Sequence, residues 1–220
     1  MKNIKAIIFD AYGTLFDVNS AAERCKDKIG DKWEAFANFW RTTQLEYTWL
    51  RSLMKRHKDF WEITEDSLDK SMKAFNIDPS LKNELLNLYQ NLSSFREVPK
   101  VLRTIKERKF KLAILSNGTP SHLKDLVKNN NLSNLFDDIF SIEKVQIYKP
   151  DSKVYDLPIK KYKIEKKEVV FLSANTWDVS GGGNYGYQSI WVNRNQSIFD
   201  NLDYKPSFEI KDLSELLNII

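Results

Sequence analysis

The chain has 220 residues, 42% of them hydrophobic, which is enough for one sizeable core or for a core with a smaller insertion. Its formal charge of +4 is spread along the sequence without a basic, aromatic-rich patch, so nucleic-acid binding is not expected. No apolar run approaches the roughly 20 residues of a membrane helix, no signal-peptide pattern begins the chain, and the one cysteine, Cys25, cannot form an internal disulfide; we therefore expect a cytoplasmic protein with no membrane partner.

The predicted elements begin with a short apolar run that has the length of a strand and is followed directly by Asp10. From residue 17 to residue 95 no convincing strand follows, and apolar residues recur at helical spacing. Thr64, with two acidic residues after it, and Asp78, before a proline, are the expected starts of two helices. The first strand is predicted over Lys5 to Phe9, and the helices over Lys32 to Arg56, Thr64 to Phe75 and Pro79 to Leu92.

Beyond residue 96, predicted strands alternate with helices. The apolar runs contain few polar residues, as in strands that are covered on both faces of a parallel sheet. The pattern indicates an α/β fold, with a doubly wound (Rossmann-like) core domain of residues 1–16 and 96–220 and an inserted helical cap (lid) domain of residues 17–95. The strands are Lys111 to Leu115, Asp138 to Ser141, Val169 to Leu172 and Ser189 to Val192; the helices are Pro99 to Lys109, Pro120 to Asn130 and Asp151 to Tyr162.

Polar residues follow several of these strands, at the edge where doubly wound folds bind ligands. They are Asp10, Ser116 and Asn117, Lys149, Ser173, Asn175 and Asp178. Taken singly, each has a structural explanation as a turn, a helix cap or a surface lysine. Their joint placement favours a site in which Asp10 attacks a substrate and forms an ester.

The other residues of this edge have roles that fit such a nucleophile. Ser116 and Asn117, with nearby N–H groups, suit an anionic substrate head. Lys149 offsets negative charge, and Asp178 either orients Lys149 or polarises the water that cleaves the ester.

Four motifs together resemble the haloacid dehalogenase superfamily: Asp10-x-Tyr12-Gly13-Thr14-Leu15, Leu115 to Gly118, Tyr148 to Asp151, and the Asp178 loop. Most members of that superfamily transfer phosphoryl groups, with Asp-x-Asp at the first strand, two acids in the last loop and Mg²⁺. Here Tyr12 replaces the second aspartate, and the last loop has a single acid. Because hard divalent cations need several oxygen ligands, we expect neither a metal nor another cofactor.

The departures resemble the L-2-haloacid dehalogenase branch, and three stretches carry that closer likeness: Asp10 to Leu15, Phe39 to Arg51, and Ser173-x-Asn175-x-Trp177-Asp178. The resemblance implies that Asp10 displaces halide from a small 2-haloacid with inversion, that water cleaves the ester, and that Arg41 accepts the halide. The other catalytic positions it implies are Thr14, Ser116, Asn117, Lys149, Tyr155, Ser173, Asn175 and Asp178. The substrate-binding positions are Ala11, Tyr12, Arg41, Leu45, Phe60, Ser116, Asn117 and Trp177.

Several alternatives stay open. One is a superfamily phosphatase, and another is a dehalogenase-like protein with a different natural substrate, fluoroacetate included. The tryptophan-rich lid helix fits a homodimer contact, but a monomer with a buried lid would have a similar pattern. Relatives commonly have Gly-Ala at the first two positions of the run Gly181 to Gly183. Since glycine costs about 1 kcal/mol relative to alanine in a helix, we expect a more mobile loop around Asp178 and slower ester hydrolysis.

Overall fold

The computed structural model describes residue 1 and residues 3–220, which divide into two compact units. The core unit contains residues 1–16 and 94–220, and the helical unit contains residues 17–93. Among the described residues, none of the helices is long and apolar enough to cross a membrane.

The core unit is built on a six-stranded, wholly parallel sheet with the order β3-β2-β1-β4-β5-β6. The order reverses between β1 and β4, and doubly wound sheets bind ligands at such a switch point. The predicted α/β class, with a parallel sheet and an inserted helical segment, is confirmed. The strands are β1 Ala6–Phe9, β2 Lys111–Ser116, β3 Asp138–Ser141, β4 Val169–Ser173, β5 Gln188–Val192 and β6 Phe208–Ile210.

The sheet forms where the sequence is continuously apolar. All four residues of β1 and all five of β4 are buried, as expected for central strands covered on both faces. Strand β6 was not predicted, because it has only three residues and exposes the first two.

The helical unit contains helices α1 to α5. Helices α1 and α2 were not predicted, since five and four residues are too few to show a helical period. The predicted start at Thr64 is wrong: α4 begins at Phe60, after Asp59 accepts a hydrogen bond from the Glu62 amide at 2.9 Å. The helices are α1 Ser20–Arg24, α2 Lys26–Ile29, α3 Trp33–Met54, α4 Phe60–Phe75 and α5 Lys82–Gln90, with a 3₁₀ turn at Pro79–Leu81.

Four α-helices complete the core unit: α6 Val98–Glu107, α7 Pro120–Asn129, α8 Ser152–Tyr162 and α9 Thr176–Tyr185. Shorter 3₁₀ segments lie at Ile142–Lys144, Lys166–Glu168 and Leu213–Asn218. Helix α9 contains both Asp178 and the glycine run. Asp178 lies in its first turn and is not the N-cap, a position held by Asn175. The run Gly181 to Gly183 is helical and is not part of a loop.

Candidate active site

Asp10 leaves β1 at the centre of the sheet, next to the switch point. Its amide donates to the Leu172 carbonyl of β4 at 2.8 Å, and only 5% of the residue is exposed. Oδ2 accepts from Asn175 Nδ2 at 3.0 Å and from Thr14 Oγ1 at 3.1 Å, and Ser173 Oγ lies 3.5 Å away. This oxygen therefore has three donors around it, all from residues that the sequence placed at the site.

The other oxygen of Asp10, Oδ1, accepts from the Lys149 ammonium at 3.1 Å. Fewer donors surround Oδ1 than Oδ2, so a lone pair of Oδ1 is free to attack an electrophile. The two oxygens thus differ in chemical character.

Thr14 is held by a tight turn directly after β1. The amides of Leu15 and Phe16 both donate to the Ala11 carbonyl, at 2.9 and 3.0 Å. Gly13 has φ +86°, a left-handed conformation that side chains rarely adopt, which explains the glycine at this turn. The turn places Thr14 Oγ1 where it donates to Asp10 and accepts from the Ala174 amide at 2.8 Å.

Lys149 joins the two carboxylates of the site. Its ammonium donates to Asp178 Oδ2 at 2.8 Å as well as to Asp10, and its side chain is 1% exposed. Burial works to lower the pKa of Lys149, but the charges of Asp10 and Asp178 outweigh it and hold the pKa above the usual value. Lys149 therefore stays charged and balances one of the two carboxylates.

Asp178 has a second partner in Tyr155, whose hydroxyl donates to Oδ1 at 2.7 Å. Full burial raises the pKa of Asp178, the nearby Asp10 charge adds to that effect, and Lys149 opposes it. Burial, followed by the Asp178 charge, raises the pKa of Tyr155 well above its usual value, so this phenol remains a donor. The observed contacts make Asp178 an orienting partner of Lys149.

The glycines of α9 make the contact between Tyr155 and Asp178 possible. A Cβ on Gly181 would lie 2.5 Å from the Tyr155 hydroxyl and 2.6 Å from Pro150 Cβ. One on Gly182 would lie 2.7 Å from the Phe171 ring. The missing side chains let α9 pack closely on its neighbours, and the expected mobility around Asp178 stays a prediction.

Ser116 and Asn117, at the end of β2, hold backbone groups of the site. Ser116 Oγ accepts from the Gly118 amide at 3.1 Å, and Asn117 Oδ1 accepts from the Lys149 amide at the same distance. Tyr12 packs beside this loop, since a Cβ on Gly118 would lie 2.8 Å from Tyr12 Cε2. Ala11 and Tyr12 are buried and Trp177 is half-buried, all three in the core unit.

Three of the predicted site residues, Arg41, Leu45 and Phe60, belong to the helical unit. Arg41 is half-buried on α3, and its Nη1 donates to Gln44 Oε1 at 2.8 Å. Gln44 is buried in turn, and its amide donates to Thr64 Oγ1 at 2.7 Å and to the Tyr89 hydroxyl at 3.1 Å. Three elements of the helical unit therefore fix the orientation of the guanidinium.

A small cavity of about 10 Å³ adjoins this network. It lies between Val18, Asn19, Ala22, Ala37, Trp40, Arg41, Gln44 and Tyr89. Its volume is close to that of one water-sized probe. Arg41 therefore borders space for a small solute.

The sequence analysis did not single out Gln44 and Arg194, which form hydrogen bonds to the predicted site residues Arg41 and Thr14. Gln44 lies within the stretch Phe39 to Arg51, one turn after Arg41, and that spacing was the available signal. Arg194 lies two residues after the end of β5, and its Nη2 donates to the Thr14 carbonyl at 2.9 Å. The rule applied to the other strand ends would have singled out Arg194 as well.

The carboxylates of the site are not arranged as metal ligands. Within residue 1 and residues 3–220, no group of three or more His, Cys, Asp and Glu side chains is placed to hold a metal ion. Asp10 and Asp178 instead share the Lys149 ammonium. A cation that used both carboxylates would have to displace this lysine.

Comparisons with known proteins agree over nearly the whole chain. Residues 4–186 match the family model described as haloacid dehalogenase-like hydrolase. An (S)-2-haloacid dehalogenase from Pseudomonas putida is 38% identical, covering 99% of this chain and 97% of its own. Haloacetate dehalogenase H-2 from Moraxella sp. (strain B) is 36% identical, covering 100% of this chain and 99% of its own. A solved L-2-haloacid dehalogenase from Xanthobacter autotrophicus, with chloropropionic acid covalently bound, is 30% identical, covers 98% of both chains and has a TM-score of 0.89.

Proposed function

The chain belongs to the haloacid dehalogenase-like hydrolases, and we propose that it is an (S)-2-haloacid dehalogenase that converts L-2-haloalkanoic acids to D-2-hydroxy acids without a metal ion. The observation that carries the proposal is the asymmetric environment of Asp10. One oxygen shares an ammonium with Asp178, and the other has three neutral donors. Such a carboxylate is ready both to attack carbon and to be regenerated.

In the first step a lone pair of Asp10 Oδ1 attacks C2 of the substrate from the side opposite the halogen. The carbon–halogen bond breaks as the new C–O bond forms, and the halide leaves with the bonding electrons. Halide is the anion of a strong acid, so its departure needs no proton donor. The resemblance assigns this role to Arg41, whose side chain is held by Gln44.

In the second step water attacks the carboxyl carbon of the Asp10 ester. Oδ2 is then the carbonyl oxygen, and it gains negative charge in the tetrahedral intermediate. Thr14, Ser173 and Asn175 already direct their donors at this atom and stabilise the charge as it develops. The intermediate collapses to the 2-hydroxy acid and free Asp10, and one proton is released overall.

The phosphatase alternative has weaker support. The resemblance places the acid of phosphate-transferring members at position 12, where this chain has a tyrosine that packs beside Gly118. Tyr12 therefore favours a halide leaving group over a phosphate ester.

The test is hydrolysis of racemic 2-chloropropionate in the presence of excess chelator. The proposal predicts chloride release that is insensitive to chelator, with D-lactate as the lactate formed and half of the substrate left. Asp10→Asn serves as the inactive control. Absence of chloride, together with Mg²⁺-dependent hydrolysis of phosphomonoesters, would overturn the proposal in favour of the phosphatase.

Substrate range is part of the same assay. The relative from Moraxella is a haloacetate dehalogenase, so chloroacetate and fluoroacetate should be measured beside 2-chloropropionate. We propose 2-chloropropionate as the better substrate, since two full-length relatives are named for 2-haloacids. Faster turnover of a haloacetate would indicate that haloacetates, and not longer 2-haloacids, are the preferred substrates.

We also propose a cytoplasmic location and a homodimer. The free, buried thiol of Cys25 fits a reducing cytoplasm. Leu50, Leu53 and Met54 expose apolar side chains at the end of α3, which fits a homodimer contact. Sedimentation of wild type and of a Leu53→Glu variant would test the second proposal.

A further inference from the structure

Arg194 is a largely buried arginine that the proposed chemistry does not use. Its side chain is 13% exposed, and Nη2 lies 2.9 Å from the Thr14 carbonyl oxygen and 2.7 Å from Glu97 Oε1. The guanidinium carbon is 3.7 Å from the centroid of the Phe95 ring. Arg194 thus contacts the turn after β1 and also the segment where the chain re-enters the core unit.

The main chain at Arg194 is well anchored. The Asn193 amide donates to the Ile210 carbonyl at 2.7 Å, and Asn193 Nδ2 donates to Glu209 Oε1 at 2.6 Å. These bonds fasten the end of β5 to β6. The main chain next to Arg194 is therefore fixed at the end of the sheet, and the Arg194 side chain extends from there to Thr14.

Thr14 is fully buried, and both its main chain and its side chain form hydrogen bonds. Its carbonyl accepts from Arg194, and its hydroxyl donates to Asp10 Oδ2 at 3.1 Å. We propose that Arg194 is a positioning residue for the nucleophile, which holds the Thr14 turn so that its hydroxyl stays on Oδ2.

This inference rests on the proposed function, because it concerns one step of that reaction. Oδ2 accepts negative charge during hydrolysis of the ester, while Oδ1 forms the bond in the first step. Loss of Arg194 should therefore slow hydrolysis more than alkylation. The ester on Asp10 would then accumulate.

The main test variant is Arg194→Met combined with Glu97→Gln, so that neither partner of the ion pair is left as an unpaired buried charge. Arg108→Met is the matched control, since Arg108 also donates to main-chain carbonyls, those of Leu217 and Ile220, at the exposed C-terminus. If the double variant does not fold, Arg194→Lys, which keeps a cation beside Glu97, undergoes the same measurements. Folding is monitored by circular dichroism.

Each protein is mixed rapidly with (S)-2-chloropropionate, and chloride release and the intact protein mass are followed. The double variant should release about one equivalent of chloride in a fast first turnover, then turn over about 10- to 100-fold more slowly than wild type. It should also carry the mass of one substrate-derived ester. In a Thr14→Val background, removal of Arg194 should cause little further loss of kcat.

Three results separate the two proposals. A wild type that releases no chloride would overturn the proposed function, and this inference with it. An active wild type with a folded Arg194 variant that keeps normal kcat would overturn the role of Arg194 alone. The role of Arg194 would also be overturned by a variant in which the first turnover slows as much as the steady-state rate and no ester is found on the protein.

Discussion

The Lys149 ammonium lies 3.1 Å from Oδ1 of Asp10, and the two side chains are 1% and 8% exposed. A second bond, 2.8 Å long, connects the same ammonium to Asp178. One buried cation therefore compensates two buried anions. The site carries about one negative charge before an anionic substrate enters.

Removal of this ammonium should abolish most turnover. In Lys149→Met the two carboxylates repel each other, and Asp10 loses the partner that orients it. We expect kcat to fall by about 10³-fold or more. Halide release measures the effect, and Lys153→Met, at an exposed position of α8, is the control. Retention of even a tenth of wild-type kcat would show that Lys149 has a structural role alone.

Asn175 should act on the second step of the reaction. Its amide donates to Asp10 Oδ2 at 3.0 Å, the closest of the three donors to that oxygen. In Asn175→Ala the developing oxyanion loses a hydrogen bond, so we expect kcat to fall about 10²-fold while ester accumulates on the protein. Mass spectrometry of the intact protein detects the ester. A slow variant that never carries ester would place Asn175 in the first step.

Gly181→Ala tests whether α9 must approach Tyr155 this closely. The new methyl group would lie 2.5 Å from the Tyr155 hydroxyl, so that side chain or the helix has to move. We expect lower kcat although alanine favours a helix by about 1 kcal/mol. Gly183→Ala is the matched control, because its methyl group meets the ring of Tyr204, outside the site. Equal kcat in both variants would argue against a role for the Tyr155–Asp178 contact.

Gln44→Leu should remove the hydrogen bond that orients the Arg41 guanidinium. Leucine is similar in size but cannot accept from Nη1 of Arg41 or donate to Thr64 and Tyr89. We expect about a tenfold loss of kcat, since a misplaced guanidinium stabilises the departing halide less well. Thr42→Ala, at an exposed position of the same helix, is the control. Unchanged chloride release by a folded Gln44→Leu protein would show that Gln44 is not needed to orient Arg41 for catalysis.

The protein should lose stability above about pH 10. Burial raises the pKa of Tyr155 and Tyr187, and the charges of Asp10 and Asp178 raise that of Lys149 against the effect of burial. The folded state therefore keeps protons that the unfolded state releases, and the free energy of unfolding falls as pH rises through this range. At pH values below the ordinary pKa values of these groups, both states keep the protons and the free energy of unfolding does not fall for this reason.

Urea unfolding at pH 8 and pH 11 measures this loss. In Tyr187→Phe the loss between the two pH values should be smaller than in wild type by about 1.4 kcal/mol, the contribution of one phenol over one pH unit. Tyr47→Phe, at a half-buried position of α3, should show the wild-type loss. An identical loss in all three proteins would show that Tyr187 ionises in the folded state.

Much of the fold follows from local pattern. The central strands are continuously apolar because both faces of a parallel sheet are buried, and polar residues at their ends lie along one edge. That rule predicts that Asp10, Ser173 and Asn175 lie at one site, and the structure places them within hydrogen-bonding distance. A role for these residues in catalysis stays a prediction until the variants are measured.

Other features depend on contacts that are distant in sequence. The glycine run of α9 has poor helix propensity, and it is helical because Tyr155, Phe171 and Tyr204 pack where side chains would otherwise stand. Arg194 is 180 residues from Thr14 along the chain, so no local spacing connects them. Such pairs require the strand order, which a single sequence does not supply.

In the proposed reaction Asp10, and not water, attacks C2 of the substrate. A single turnover in H₂¹⁸O, with enzyme in excess over (S)-2-chloropropionate, tests it most directly. If Asp10 attacks, the lactate hydroxyl oxygen comes from Asp10, so we expect ¹⁸O in the peptide containing Asp10 and none in the first lactate formed. Incorporation of ¹⁸O into that lactate, with none in the Asp10 peptide, would contradict it.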